Sequence, residues 1–127
     1  MKILALLAVI LFSGSVSASC DMPMDHVEQR KCSEHLFNEL SHKVISAQQS
    51  LRNKITTWDQ EPEFKAAALA NLDKAVHAFQ TYQSEQCEFD ASVAAGGNAA
   101  NDLRIECKIR LYSRYLKYIQ EQILSFK

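Results

Sequence analysis

Four cysteines, four histidines and fifteen carboxylates are the groups in this 127-residue chain that could carry chemistry. Cys32 and His35 lie one helical turn apart, a spacing that could begin a metal site. A zinc site needs a second Cys or His pair at similar spacing. His26, His42 and His77 are scattered and supply none. No Ser, Thr or Cys sits in a recognisable nucleophile motif. Two carboxylates could serve as the acid and base of a glycosidase. Here Asp and Glu are spread along faces where solvated charges belong. No residue is therefore assigned a catalytic role or a metal, and no cofactor is expected. The chemistry left is thiol oxidation, by Cys20, Cys32, Cys87 and Cys107.

Those cysteines follow a removable leader. Met1–Ala18 opens with Lys2, continues with the apolar run Ile3–Phe12 and closes on Val16-Ser17-Ala18. These are the charged, apolar and small-residue parts of a secretory signal. An even cysteine count in a short exported domain argues for two disulfides and an oxidising compartment. The periplasm is the first expectation and secretion the second. Cys20 raises the alternative of a lipoprotein, cut just before a cysteine that then carries lipid. Ser17-Ala18-Ser19 fit such a site in size, but the usual leucine three places before the cysteine is missing. Lipidating Cys20 would also leave an odd number of cysteines. Cleavage after Ala18 is the expectation.

The mature chain, 19–127, is one small domain by length. Its formal charge is −1 with the leader and −2 once Lys2 is removed. Nucleic-acid binding calls for a strong basic excess, so that class of partner is excluded. The leader's apolar run is too short to span a bilayer, and no later stretch approaches the roughly 20 apolar residues a membrane helix needs.

Glycine and proline then partition the chain. After the leader they occur only at Pro23, Pro62, Gly96 and Gly97. The intervals read with helical period, and none alternates as a strand does. The first helix is expected from about Asp25 to Trp58, with Asp25 and Glu28 as a capping pair. Its inward line is Cys32, Leu36, Leu40, Val44, Ala47, Leu51, Ile55 and Trp58. A helix of that length would run about 50 Å if unbroken, long enough to admit a bend or break. Pro62 opens a second helix to about Phe89, with Phe64, Leu69, Leu72, Val76, Phe79 and Tyr82 facing inward. A small-residue loop, Ala91–Asn101, precedes a third helix to about Ser125, with Ile105, Ile109, Tyr112, Leu116, Ile119 and Ile123 as its core stripe. The fold class is all-α: a three-helix up-down-up bundle joined by short connections.

In such a bundle Cys87 and Cys107, each ten residues from Gly97, share one level. Cys20 and Cys32 fall near the same end. Three pairings are open. Cys20–Cys32 with Cys87–Cys107 is preferred because each closes a local segment, although Cys32 also lies on the inward line and could reach across.

This framework resembles the LprI-type lysozyme-inhibitor N-terminal domain. An acid, Glu28, stands four places before the second cysteine, within Asp25-His26-Val27-Glu28-Gln29-Arg30-Lys31-Cys32. Phe79 and Tyr82 stand eight and five places before Cys87. Gly96-Gly97 follow, then Cys107 with Arg114 and Leu116 downstream. The chain departs from the pattern in carrying Phe79 where relatives usually have Trp, and Gln83-Ser84 where they usually have Arg-Asp. The resemblance spans the mature chain. It implies a small exported helical protein that binds and blocks a lysozyme. Its partner would be a lysozyme-like hydrolase.

The glycine-loop end is the candidate contact surface. Glu85, Glu88 and Asp90 cluster beside Cys87, and Ser92, Gly96, Gly97 and Asn98 follow. Of these, Glu88, Asp90, Ser92, Gly96, Gly97 and Asn98 are assigned to partner contact. A disulfide-pinned loop of small residues presents a narrow protrusion whose ordering cost is already met. Acids on its flanks would steer it to a basic target. A second surface, Tyr112, Tyr115 and Tyr118 interleaved with Arg110, Arg114 and Lys117, is expected to be half-buried aromatics flanked by solvated bases. Trp58 is expected to cap the core. Two other functions fit the same residues: immunity to a neighbour's wall-degrading toxin, and an envelope scaffold or stress module with no hydrolase partner. Mass spectrometry of the exported protein should place the mature N-terminus at Ser19. An acyl adduct on Cys20 would establish the lipoprotein route instead.

Overall fold

A computed structural model describes Cys20 and residues 25–126. The leader, its cleavage point and Pro23 lie outside the described residues. Three helices make up nearly all of the rest: α1 (His26–Thr56), α2 (Pro62–Ser92) and α3 (Asn98–Ser125). They pack up-down-up. His26 of α1 meets Asp102 of α3 and Phe37 meets Tyr112, so α1 and α3 run parallel. Phe79 stacks on Tyr115 and Cys87 bonds to Cys107, so α2 and α3 run antiparallel. The central helix is α3, packed along both neighbours, while α1 and α2 touch far less.

Local chemistry sets most of the helix ends. The Asp25 carboxylate accepts from the Val27 and Glu28 amides, both at 2.9 Å, satisfying donors that the first turn leaves free. Pro62 occupies the first turn of α2, where its missing N–H costs nothing. Helix α1 is unbroken: its 31 residues form one helix. The connection between α2 and α3 is shorter than the sequence predicts. It comprises Val93–Gly97 rather than 91–101. Alanine is small but is the strongest helix former, so Ala91, Ala99 and Ala100 extend the helices and only the glycines interrupt them.

The main core joins all three helices toward the Pro62 end. Val44, Ala47, Leu51 and Ile55 of α1 surround Ile119 of α3, with Leu69 and Leu72 of α2 packed against them. Trp58 closes that end edge-to-face on Phe126, with ring centroids 5.5 Å apart. A second cluster at the other end holds Cys87, Cys107 and Leu111, with Phe79 against it. Both bridges are the local ones, Cys20–Cys32 and Cys87–Cys107.

Two residues expected inside α2 are outside. Phe64 and Tyr82 are each 53% exposed. They are eighteen residues apart, which is five whole turns, so they share a face. That face is turned away from the line of Leu69, Val76, Gln83 and Cys87. At the inward position beside Tyr82 the chain places Gln83, which is buried. Among the described residues no buried side-chain nitrogen or oxygen lacks a partner.

Ile119 is 1% exposed at the meeting point of the three helices. Ile119→Ala should cost about 2–5 kcal/mol in urea unfolding. Leu124→Ala, at a position 79% exposed, should change stability by no more than about 0.5 kcal/mol.

Candidate partner-binding surface

The α2–α3 tip is rooted on the Cys87–Cys107 bridge, whose two residues are wholly buried. Above it α2 ends at Ser92, whose hydroxyl donates to the Phe89 carbonyl at 2.6 Å. The chain then turns through Ala94 and Ala95, whose amides donate to the Ala91 and Ser92 carbonyls. Ala95, Gly96 and Gly97 all have positive φ, at 52°, 96° and 78°. Glycine accepts this region without a Cβ clash, which is why the pair sits here. Ala95 enters it at some strain. A Cβ at Gly96 or Gly97 would meet nothing within 4 Å, so both project into open space.

The six assigned residues gather at this end, but not all on the loop. Gly96 and Gly97 form the turn. Ser92 is the last residue of α2 and Asn98 the first of α3, both exposed. Glu88 and Asp90 lie within α2, and neither is a free charge. Arg104 clasps Glu88 with two hydrogen bonds, at 2.6 and 3.0 Å, and donates a third to Asn101 at 3.1 Å. Arg110 donates to Asp90 at 2.6 Å, and the Gln86 amide donates to Asp90 at 2.9 Å. The Arg104 hydrogen bond holds the Glu88 carboxyl below the usual range, and Glu88 in turn raises Arg104. The acidic rim expected of this end is thus largely closed by arginines of the same chain. What the tip offers outward is shape and small side chains, with Phe89 and Val93 exposed beside it at 63% and 69%.

A second polar cluster joins α1 to the start of α3. His26 Nε2 and Asp102 Oδ2 are 2.6 Å apart, and Arg30 donates twice to Asp102 Oδ1 at 3.3 Å. A small cleft of about 50 Å³ lies among His26, Arg30, Ser33, Asp102 and Glu106. A serine, a histidine and an aspartate thus share one cleft. Ser33 is seven residues beyond His26 on the same helix, which separates their Cα atoms by about 10 Å. That is no nucleophile–base pair. Cys32 is bonded to Cys20 and His35 lies 3.5 Å from Glu39, so the pair considered for metal does not converge. Among the described residues no three His, Cys, Asp or Glu side chains gather as ligands would.

Two of the three tyrosines are core. Tyr115 stacks on Phe79 with centroids 3.8 Å apart, and Tyr112 meets Phe37 and Phe79 edge-on. Burial raises both phenol pKa values. Tyr118 is 56% exposed, so the strip is not a continuous face. Sequence reasoning missed Arg104 and Arg110 as partners of the acids. It also missed the outward pair Phe89 and Val93. Their four-residue spacing was a readable signal.

No family model, curated protein or solved structure matches this chain. Among the described residues no helix is long and apolar enough to cross a membrane.

Asp102 supplies a test in pH. The His26 hydrogen bond, followed by that from Arg30, holds its carboxyl below the ordinary aspartate value. A lowered folded-state pKa contributes stability that is present above the unfolded value of about 3.9 and lost as pH falls through the folded value. Asp102→Asn should therefore lower the urea midpoint at pH 6. The difference from the parent should shrink as pH falls below the unfolded value and Asp102 takes up its proton.

Proposed function

We propose that this is an exported binding protein that inhibits a lysozyme or a related peptidoglycan hydrolase by seating the α2–α3 tip in the enzyme's cleft. The observation that carries the reading is the tip itself. A five-residue turn stands in open space on two buried, covalently joined roots. Nothing in Val93–Gly97 is larger than valine. A protrusion so narrow and so pinned loses little conformational freedom on binding. The residues that resemble the LprI-type domain support the same reading, as does the pair of disulfides expected of a protein kept outside the cytoplasm. Glu88 and Asp90 brace the tip through Arg104 and Arg110, so the block rests on shape more than on charge. Immunity to a wall-degrading toxin would use the same tip against a different enzyme, and a toxin gene beside this one would favour it.

The test is a lysis assay with oxidised protein against a panel of muramidases. At least one should be inhibited. Asn98→Trp should then weaken inhibition by about tenfold or more, roughly 1.4 kcal/mol. Asn98 is the better position for the added bulk because its side chain is exposed and helical, whereas tryptophan at Gly97 would also strain a φ of 78°. Full inhibition by Asn98→Trp would remove the tip from the interface. Failure of the parent against every muramidase would end the proposal.

A further inference from the structure

The face of α2 that carries Phe64 and Tyr82 has no partner within the chain. Phe64, Ala75, Ala78, Tyr82, Phe89 and Val93 are all exposed, and their spacings of 11, 3, 4, 7 and 4 return to one side of the helix, where the exposed Asn71 is the one polar residue between Phe64 and Ala75 on the same line. The inward face of α2 is apolar as well, so the helix is apolar on two sides. Helices of that kind are ordinarily covered on both. Yet α2 buries only Gln83, Cys87 and Ala91, all near its C-terminal end. The other large exposed apolar residues are divided between α1 and α3: Val27 and Ile45 share a face of α1 but have Glu34 and Asn38 between them, and Tyr118 and Leu124 stand six residues apart on α3.

Charge identifies what covers this face. Three carboxylates of α2 are taken up inside the chain: Asp73 by Arg52, Glu88 by Arg104 and Asp90 by Arg110. Lys74 and Glu85 are exposed and enter no ion pair among the described residues. Both flank the stripe on the same side. They carry opposite signs and stand equally far from the point between Phe79 and Gln80, one residue beyond the middle of the stripe. Two antiparallel copies of α2 related by a twofold axis through that point would bring each Lys74 against the partner's Glu85. A parallel pair would leave this flank of the two copies on opposite sides, with no such contact. Ala75 and Ala78 near the centre leave room for the facing Tyr82 rings.

We propose that α2 pairs with α2 of a second copy of this chain, antiparallel and twofold-symmetric, through the stripe from Phe64 to Val93 with reciprocal Lys74–Glu85 ion pairs. Phe64, Tyr82, Phe89 and Val93 would bury on the order of 300–400 Å² per chain, given 150–250 Å² for a whole aromatic side chain. That is near half of the roughly 800 Å² per partner in a stable complex, so the dimer is a weak one. Val93, the first residue of the turn, is covered in the pair, while Ala94–Gly97 lie at its opposite ends and stay open. The pairing therefore stands apart from the proposed function, and either can fail alone.

Sedimentation equilibrium of the oxidised mature chain, from about 1 µM to 1 mM, tests it. The parent should pass from monomer to dimer. Tyr82→Glu should remain monomeric with unchanged helical content, since Tyr82 touches no core cluster. Lys74→Glu should raise the dissociation constant about tenfold, because two exposed attractions become repulsions of similar size. Mixing Lys74→Glu with Glu85→Lys should restore dimers, as each mixed pair regains two opposite-charge contacts. A parent that stays monomeric throughout overturns the proposal, even if another protein binds this face. So does a charge-reversed mixture that fails to pair.

Discussion

The covalent joint between Cys87 and Cys107 is the constraint on which the rest of the arrangement turns. Helix α2 has little else to hold it in register. From Pro62 to Tyr82 it has no fully buried residue, and its three buried positions all lie within one helical turn of Cys87. Closing a segment of 20 residues is worth about 3 kcal/mol through the unfolded state. More important for function, the bridge fixes both the level and the rotation of α2 on α3. Phe79 is thereby laid on Tyr115, Glu88 within reach of Arg104 and Asp90 within reach of Arg110. With the rotation set, Phe64, Tyr82, Phe89 and Val93 have to face outward. One bond thus anchors the tip and exposes the stripe.

Charge in this protein orients more than it stabilises. Arg30 and Asp102 join α1 to α3, Arg52 and Asp73 join α1 to α2, and two arginines of α3 reach acids of α2. Their exposed settings make each worth little to stability. Together they give every helix pair at least one directional contact, on a core made mostly of aliphatic side chains that would slide at little cost. They also consume the acids that would otherwise have been a steering field at the tip. Association with a basic target would then depend on fit more than on attraction, and show less salt dependence than a free acidic loop would.

The tip and the stripe have different physical characters. The tip is small-sided and narrow. The stripe is long and mostly apolar on one unbroken helix, suited to lying against another helix. A partner that fits one does not fit the other, so two independent contacts are available to one small domain.

Sequence alone determined the helices, their number and the levels of the cysteines. Period and punctuation are local properties, and Asp25, Pro62 and Gly96-Gly97 act on the residues beside them. The ten-residue distance of each inner cysteine from Gly97 placed them opposite one another because a tight hairpin mirrors its arms. The same arithmetic pairs Asp90 with Arg104, whereas the fold pairs Glu88 with Arg104 and Asp90 with Arg110. Level along a helix can be counted, but rotation about its axis is set by packing. Rotation likewise decided that Phe64 and Tyr82 face solvent and that Tyr112 and Tyr115 face inward. Alanine hid the length of the connection, being small like a loop residue yet strongly helical. The candidate site was legible as a cluster of residues at one end of the bundle. Which of its charges remain available to a partner was decided only by the tertiary fold, because an ion pair between helices depends on which faces the core turns toward each other.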